Sequence, residues 1–246
     1  LQLLVILAYN SNMKSTIQDK NKLVNSVFSD VYKKYDLMND IMSFGIHRAW
    51  KEKFIDWMNP QPETKLIDVA SGTGDIAKLF LKKTNNQSHV TCIEPNIHML
   101  NQGKVNCKQL KNINWINAKA EELPIKNNTY DYYTISFGIR NVTDINTTLR
   151  EAFRVLKPGG RFLCLEFSKI NNEFLSYIYK QYSKTIPLVG RYIVGSDKPY
   201  EYLIQSIEKF YDQKQLSKLM VQNGFSNIKY RNLSSGISAI HSGWKI

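Results

Sequence analysis

Two hydrophobic periods alternate along most of the chain. From residue 65 onward, short apolar runs alternate with segments whose apolar residues recur every three or four positions. The runs at 65–70, 90–94, 113–117, 131–137 and 161–167 read as strands, and the segments at 75–83, 97–110 and 145–156 as helices between them. The strand runs are apolar almost throughout, as strands covered on both faces must be. The pattern therefore predicts an α/β fold with a mainly parallel sheet. Lys157-Pro158-Gly159-Gly160 reads as a turn before the fifth strand. Residues 212–222 predict a last helix ended by Asn223-Gly224, followed by two strands at 226–231 and 236–241 joined by a Ser-Ser turn.

Two segments fall outside this rhythm. In residues 20–58, Val24, Val27, Phe28, Val31 and Tyr35 recur at helical spacing. After the polar break Asn39-Asp40, a second helix carries Ile46, Trp50, Phe54 and Trp57 up to Pro60 and Pro62. Residues 170–210 form an aromatic-rich insertion with Phe174, Tyr177, Tyr179, Tyr182, Tyr192, Tyr200 and Tyr202. It suits a lid over an apolar ligand or the packing of an added helical hairpin. The expected organisation is one domain over 1–246: a helical cap at 20–60, a ligand-binding core at 65–168, the insertion at 170–210 and a C-terminal helix with strands at 212–246. Residues 1–19 are expected to be poorly ordered. Leu1–Ala8 is apolar but too short to span a bilayer, and with the first Met at position 13 it reads as an extension ahead of the true start.

Charge and cysteine content narrow the setting. The 33 Lys and Arg against 21 Asp and Glu give a formal net charge of +12, which suits an anionic neighbour such as nucleic acid or an anionic membrane surface, or simply solvated lysines. Cys92, Cys107 and Cys164 are scattered, with neither metal-ligand spacing nor a disulfide framework, as in a reducing cytosol. Cys92 and Cys164 lie in apolar runs and are expected to be buried thiols.

The chemistry concentrates in Leu66-Ile67-Asp68-Val69-Ala70-Ser71-Gly72-Thr73-Gly74-Asp75-Ile76-Ala77. This is a strand running through a glycine turn into a helix, so backbone N–H groups can approach a ligand closely. Gly72-Thr73-Gly74-Asp75-Ile76-Ala77 fits the dinucleotide fingerprint, and Glu94 follows about 20 residues on, where a ribose-binding acid belongs. A pyrophosphate on the helix N-terminus would nevertheless meet Asp68 and Asp75, and like charges repel. The two carboxylates better suit a ligand with a cation and a ribose but no phosphate. S-adenosylmethionine has that chemistry, while NAD and an unliganded helix entry with Asp75 as charge complement stand as alternatives. Asp68, Gly72 and Gly74 are the cofactor-binding candidates on these grounds.

Three blocks together suggest a family; the first and third are specific, while the glycine turn alone would be a weak signal. Tyr35-Asp36-Leu37-Met38-Asn39-Asp40-Ile41-Met42-Ser43-Phe44-Gly45-Ile46-His47-Arg48-Ala49-Trp50, the glycine turn from Asp68, and Ser136-Phe137-Gly138-Ile139-Arg140-Asn141-Val142-Thr143-Asp144 resemble signatures of the ubiquinone/menaquinone C-methyltransferase family. Leu165-Glu166-Phe167-Ser168 and the tail from Gly236 to Lys245 resemble it too, and Arg154–Gly160 is general to class I methyltransferases. The resemblance runs from about residue 26 to the C-terminus. It implies a Rossmann-like, doubly wound, seven-stranded, mostly parallel sheet with the helical cap and an insertion after strand 5. It also implies methyl transfer from S-adenosylmethionine to a ring carbon of a polyprenylated quinol, with Thr73, Glu94, the Lys119–Ala120 pair and Ser136 at the cofactor. The sequence departs from the family at Lys119, where Asn is usual. A lysine cannot accept a hydrogen bond from the adenine amino group, so the side-chain contact at 119 is not expected and the backbone N–H of Ala120 is left to serve the adenine ring.

A quinol ring carbon attacks well once a ring hydroxyl is deprotonated, which calls for a cation and a base. Arg140, past the C-terminal end of the fourth strand, is the candidate cation; Asn141 could orient the acceptor or a water. His47 is the candidate base because histidine titrates nearest neutrality. His241, on an expected edge strand, is a weaker candidate for the same role. Tyr35 and Asp36 could close a lid, and Asp144 reads as a helix N-cap. The expected setting is cytoplasmic and peripheral on the inner face of the membrane, where the polyprenyl tail keeps the substrate. Contacts with other quinone-biosynthesis enzymes and a homodimer stay open. A nucleic-acid amino-methylating enzyme would want a [DN]-P-P-[YFW] turn where this chain has Ser136–Asn141. An NAD-dependent reductase and a non-catalytic quinone-binding subunit are the remaining rivals.

Overall fold

The computed structural model describes residues 45–170 and 198–246, with side chains of the second part from 201 onward. The first cap helix with Tyr35 and Asp36, and the insertion aromatics from Phe174 to Tyr192, lie outside the described residues. The second cap helix is present as α1 (His47–Met58). It is followed by β1 (Lys65–Val69), α2 (Asp75–Lys83), β2 (His89–Ile93), α3 (Ile97–Asn106), β3 (Ile113–Ile116), β4 (Tyr130–Ser136), α4 (Ile145–Val155), β5 (Leu156–Phe167), α5 (Lys198–Lys209), α6 (Gln213–Gln222), β6 (Ser226–Leu233) and β7 (Ser238–Trp244).

The seven strands form one sheet in the order β3-β2-β1-β4-β5-β7-β6. The first five are mutually parallel, and β7 runs antiparallel between β5 and β6. Chain order reverses between β1 and β4, so the crevice beyond their C-terminal ends is the place where such sheets bind ligands. The strands there are buried on both faces: Leu66, Ile67, Asp68 and Val69 of β1 are all inaccessible. One face is covered by α1, α2 and α5 through Trp50, Phe54, Phe80 and Leu203. The other is covered by α4 and α6 through Leu149, Val155, Leu216 and Met220. Each such side chain fully buried is worth about 1.5–3 kcal/mol.

Local chemistry sets the helix ends. Asp144 caps α4 by accepting from Asn146 N–H, as its position suggested, and Asp212 with Gln215 forms a reciprocal capping box on α6. The departures from expectation sit at element boundaries. β4 stops at Ser136 because Phe137 takes a left-handed φ of 54°. The expected turn at Lys157–Gly160 is instead the bulged start of β5, with the register shifting between Tyr130 and Tyr132. Gly159 N–H donates to the Lys245 carbonyl there, so this stretch is held by β7's tail. The last two strands extend further along the chain than expected, and residues 234–236 form a 3-10 turn between them.

Candidate cofactor and acceptor site

The glycine turn forms the floor of the crevice. Gly74, at the entry to α2, has φ 86°, and a Cβ there would come 2.8 Å from Cys107 Sγ and 3.0 Å from the Trp115 ring. Only glycine satisfies both the backbone angle and the space. On the β4 side, a Cβ on Gly138 would lie 2.5 Å from that of Ala70, so the loops after β1 and β4 touch. Ala70 and Phe137, the residues that turn each loop away from its strand, both hold left-handed φ values (52° and 54°). Strain of this kind costs about 1–3 kcal/mol per residue and concentrates at ligand sites.

Above the floor is a cavity of about 320 Å³, lined among others by Gly72, Glu94, Met99, Ala120, Phe137 and Asn141. Glu94 is buried at the end of β2. Its Oε2 accepts from Gly72 N–H at 2.9 Å and its Oε1 from Asn96 N–H at 2.9 Å. Each carboxylate oxygen has a second lone pair, so the side chain can still accept two bonds from a diol. Burial, partly offset by the two N–H bonds, pushes its carboxyl up to about 7. Lys119 and Ala120 also line this cavity.

A smaller adjoining cleft of about 30 Å³ is lined by Lys51, Asp68, Thr73, Asp75 and Ser136. Asp68 Oδ1 accepts from the Thr134 hydroxyl at 2.7 Å, across the switch point between β1 and β4. Asp68 Oδ2 and Ser136 Oγ are buried without a hydrogen-bond partner among the described residues. A buried acceptor left unpaired costs about 1–3 kcal/mol and asks for a donor. Burial raises the Asp68 carboxyl to about 7, against the pull of Thr134 and Lys51.

The geometry corrects the reading of Asp75. It ion-pairs with Lys51 of α1 at 2.8 Å and with Lys78 at 3.3 Å. Burial alone would raise its carboxyl, but the two lysines hold it below the usual carboxylate range. Its charge is therefore already answered, and the acids that can face a cationic ligand are Asp68 and Glu94.

Arg140 is corrected in a similar way. It sits in the 3-10 segment Ile139–Asn141, but its guanidinium is 3% exposed and Nη1 lies 2.6 Å from Glu166 Oε1 and 2.7 Å from the Phe137 carbonyl oxygen. Glu166 also accepts from Phe167 N–H at 2.9 Å. Burial raises the Glu166 carboxyl and the neighbouring Arg140 opposes the rise. The pair is close to neutral as a whole, so Arg140 is no free cation, although its buried Nε has no partner among the described residues. Asn141 lines the large cavity and accepts at Oδ1 from the Tyr202 hydroxyl of α5 at 3.0 Å.

His47 is buried at the start of α1, one turn before Lys51 and so on the same helix face. His241 is not on an edge: β7 lies inside the sheet, where His241 pairs with Cys164 and Tyr230. Its Nε2 lies 3.0 Å from the Gln213 carbonyl, burial lowers its pKa to about 4, and it lines neither cavity at the crevice. All three cysteines are buried free thiols. The residues that the sequence reading gave no role are Lys51, Glu166 and Tyr202. Glu166 carried a signal, since an acid inside the run Phe162–Phe167 must find a buried partner.

Comparison with known proteins agrees with this architecture. A sequence model described as the ubiE/COQ5 methyltransferase family matches residues 14–245. A Rickettsia bellii protein named ubiquinone/menaquinone biosynthesis C-methyltransferase UbiE is 48% identical over 240 residues, covering 95% of this chain and 96% of its own length. A Brucella suis protein of the same name is 45% identical, covering 93% of this chain and 87% of its own length. Among solved structures, a SAM-dependent methyltransferase from Thermotoga maritima superposes with a TM-score of 0.64 at 18% identity, over 90% of this chain and 99% of that one. The Haemonchus contortus phosphoethanolamine N-methyltransferase 2, in complex with S-adenosyl-L-methionine, gives 0.62 at 14% identity, over 80% of this chain and 52% of that one. At those identities the structures speak for the fold.

Proposed function

Because the chain belongs to the ubiE/COQ5 methyltransferase family, we propose how its residues divide the work of a C-methyltransferase that uses S-adenosylmethionine to methylate a polyprenylated quinol in ubiquinone/menaquinone biosynthesis. The observation that carries the reading is the pair of acids at the β1/β4 crevice: Glu94 on the large cavity and Asp68 on the smaller cleft, both buried and both with acceptor capacity left over. When bound, S-adenosylmethionine supplies an electrophilic methyl group whose bonding pair stays on sulfur as the methyl passes to the ring carbon.

Glu94 receives the ribose hydroxyls on its two free lone pairs. Asp68 Oδ2 and Ser136 Oγ face the ammonium side through the smaller cleft, and Gly72-Thr73-Gly74 underlies the methionine portion. The stretch at Lys119 and Ala120 borders the adenine. The cavity of about 320 Å³ falls within the range of about 300–1,000 Å³ usual for small-molecule sites. On the acceptor side, a quinol hydroxyl starts near a pKa of about 10 and must lose its proton before the ring carbon becomes strongly nucleophilic. Asn141 stabilises the resulting oxyanion from the cavity wall, and Arg140 supports it by fixing the 137–141 segment on Glu166. His47 serves as the base. Both 2-methoxy-6-polyprenyl-1,4-benzoquinol and demethylmenaquinol present the required aromatic diol.

This assignment fixes a pH dependence. The free protein must ionise Asp68 and Glu94, both raised to about 7, before they can hold a cation and a diol. Affinity for S-adenosylmethionine is expected to rise about tenfold for each acid, about 100-fold for both, from about pH 6 to about pH 8, with protons released on binding. Because both folded pKa values are raised, the contribution of these two acids to the stability of the ligand-free protein is fully present below the ordinary carboxylate range and is lost as pH rises through about 7. Calorimetric titration in buffers of different ionisation enthalpy reads both effects, and an affinity flat across that range would remove these acids from the site.

No helix among the described residues is long and apolar enough to cross a membrane. The substrate's tail stays in the bilayer, since each buried CH₂ contributes about 0.8 kcal/mol. We place the protein peripherally on an anionic inner leaflet, where each Lys or Arg near the surface adds about 1 kcal/mol. Flotation with anionic liposomes should carry the protein upward at low salt and release it at high salt; equal recovery on neutral and anionic vesicles would contradict docking by charge.

A further inference from the structure

Three elements bring polar groups together beside the cavity. The 3-10 segment supplies Arg140 and Asn141, β5 supplies Glu166, and α5 supplies Tyr202. The Tyr202 hydroxyl donates to Asn141 Oδ1 at 3.0 Å, and Tyr202 is close enough to Arg140 and Glu166 to sense their charges. Its neighbour Leu203 is buried in the same cluster as Trp50, Phe137 and Phe167, which fixes α5 against the crevice loop. An amide has one acceptor end and one donor end. With Oδ1 committed to Tyr202, the NH₂ group is what Asn141 can offer to the cavity it lines.

We propose that Tyr202 is a positioning residue for methyl transfer: by holding Asn141 Oδ1, it turns the Asn141 amide so that N–H donors, rather than a carbonyl oxygen, face the acceptor's developing oxyanion. The inference rests on the function proposed above and assigns a specific orientation to one of its groups. Without Tyr202's hydroxyl the amide can flip and set a carbonyl oxygen against the oxyanion, which repels it. The packing of α5 on the crevice loop thus completes the acceptor side of the site, while the donor side does not depend on it.

The test is a turnover cycle on the full-length protein with S-adenosylmethionine and a short-tailed demethylmenaquinol. Tyr202→Phe should lower kcat about tenfold, the effect of one hydrogen bond's energy, with the KM for S-adenosylmethionine and the melting temperature nearly unchanged. Asn141→Ala should lower kcat about 100-fold, and the double variant should be no worse than Asn141→Ala alone, because Tyr202 acts through Asn141. Asn141→Asp keeps an acceptor for Tyr202 but offers no N–H, so it should be as slow as Asn141→Ala. Effects that multiply in the double variant, an active Asn141→Asp, or wild-type turnover in Tyr202→Phe would each overturn the inference. Absence of turnover in the wild-type protein would instead sink the function on which it rests.

Discussion

Replacing Glu94 with Ala is expected to weaken S-adenosylmethionine binding at least about 100-fold while leaving the fold nearly as stable as before. The binding loss follows from the bonds removed: two to the ribose, each charge-assisted and worth about 1.5–3 kcal/mol, against about 1.4 kcal/mol per tenfold in affinity. The small stability change follows from two opposed terms. Gly72 N–H and Asn96 N–H lose their acceptor, but a buried carboxyl already pushed up to about 7 no longer has to be desolvated. Thermal shift separates the two effects. The wild-type melting temperature should climb with ligand concentration, as a native-state binder requires, and that of the variant should stay flat from a similar starting point. A variant that binds normally would move the ribose away from β2.

Arg140→Ala is expected to destabilise the protein by about 3–5 kcal/mol, because it strands Glu166 as an unpaired acid in the core. The pair is 3% and 2% exposed, and Arg140 Nη1 also holds the Phe137 carbonyl at the strained end of β4. With the cation gone, the Glu166 carboxyl moves further up and is carried protonated. The penalty should therefore grow as pH rises above the ordinary carboxylate range and shrink in acid. The double variant Arg140→Met/Glu166→Leu should recover most of the melting temperature, since apolar residues of similar volume replace buried pairs at little cost. If the double variant melts like wild type yet stays slow, Arg140 acts on the substrate as well as on the loop. If it turns over normally, its role is to hold the 137–141 segment alone. A single variant as stable as wild type would contradict the buried pair itself.

Much of the crevice can be read from the sequence because its parts are local. A strand, a glycine turn and a helix occupy one continuous stretch, Leu66–Ala77, and Glu94 ends the next strand run. Asp144 caps α4 by an interaction with a residue two positions on. The features that escaped are those made by distant segments. Lys51 reaches Asp75 across 24 residues and Glu166 reaches Arg140 across 26, so each charged residue viewed alone looked available to a ligand. Tyr202 meets Asn141 across 61 residues, from a helix whose apolar spacing gave no hint of its target. His241 was misplaced for a topological reason: the last strand in sequence is not the last in space, because β7 inserts between β5 and β6. Boundaries moved where the backbone departs from the strand conformation, at left-handed Phe137 and at the bulge that opens β5. Periodicity reports which face a residue takes, and that signal carries no information about which remote group answers a buried charge.

The most direct measurement is transfer of an isotopically labelled methyl group from S-adenosylmethionine to each of the two quinols, with the product's methylated position read by mass spectrometry and NMR. The expected result is label on a ring carbon of at least one quinol, abolished when Glu94 is replaced. Tight S-adenosylmethionine binding with no label on either ring, or label found on a ring oxygen, would contradict the assignment.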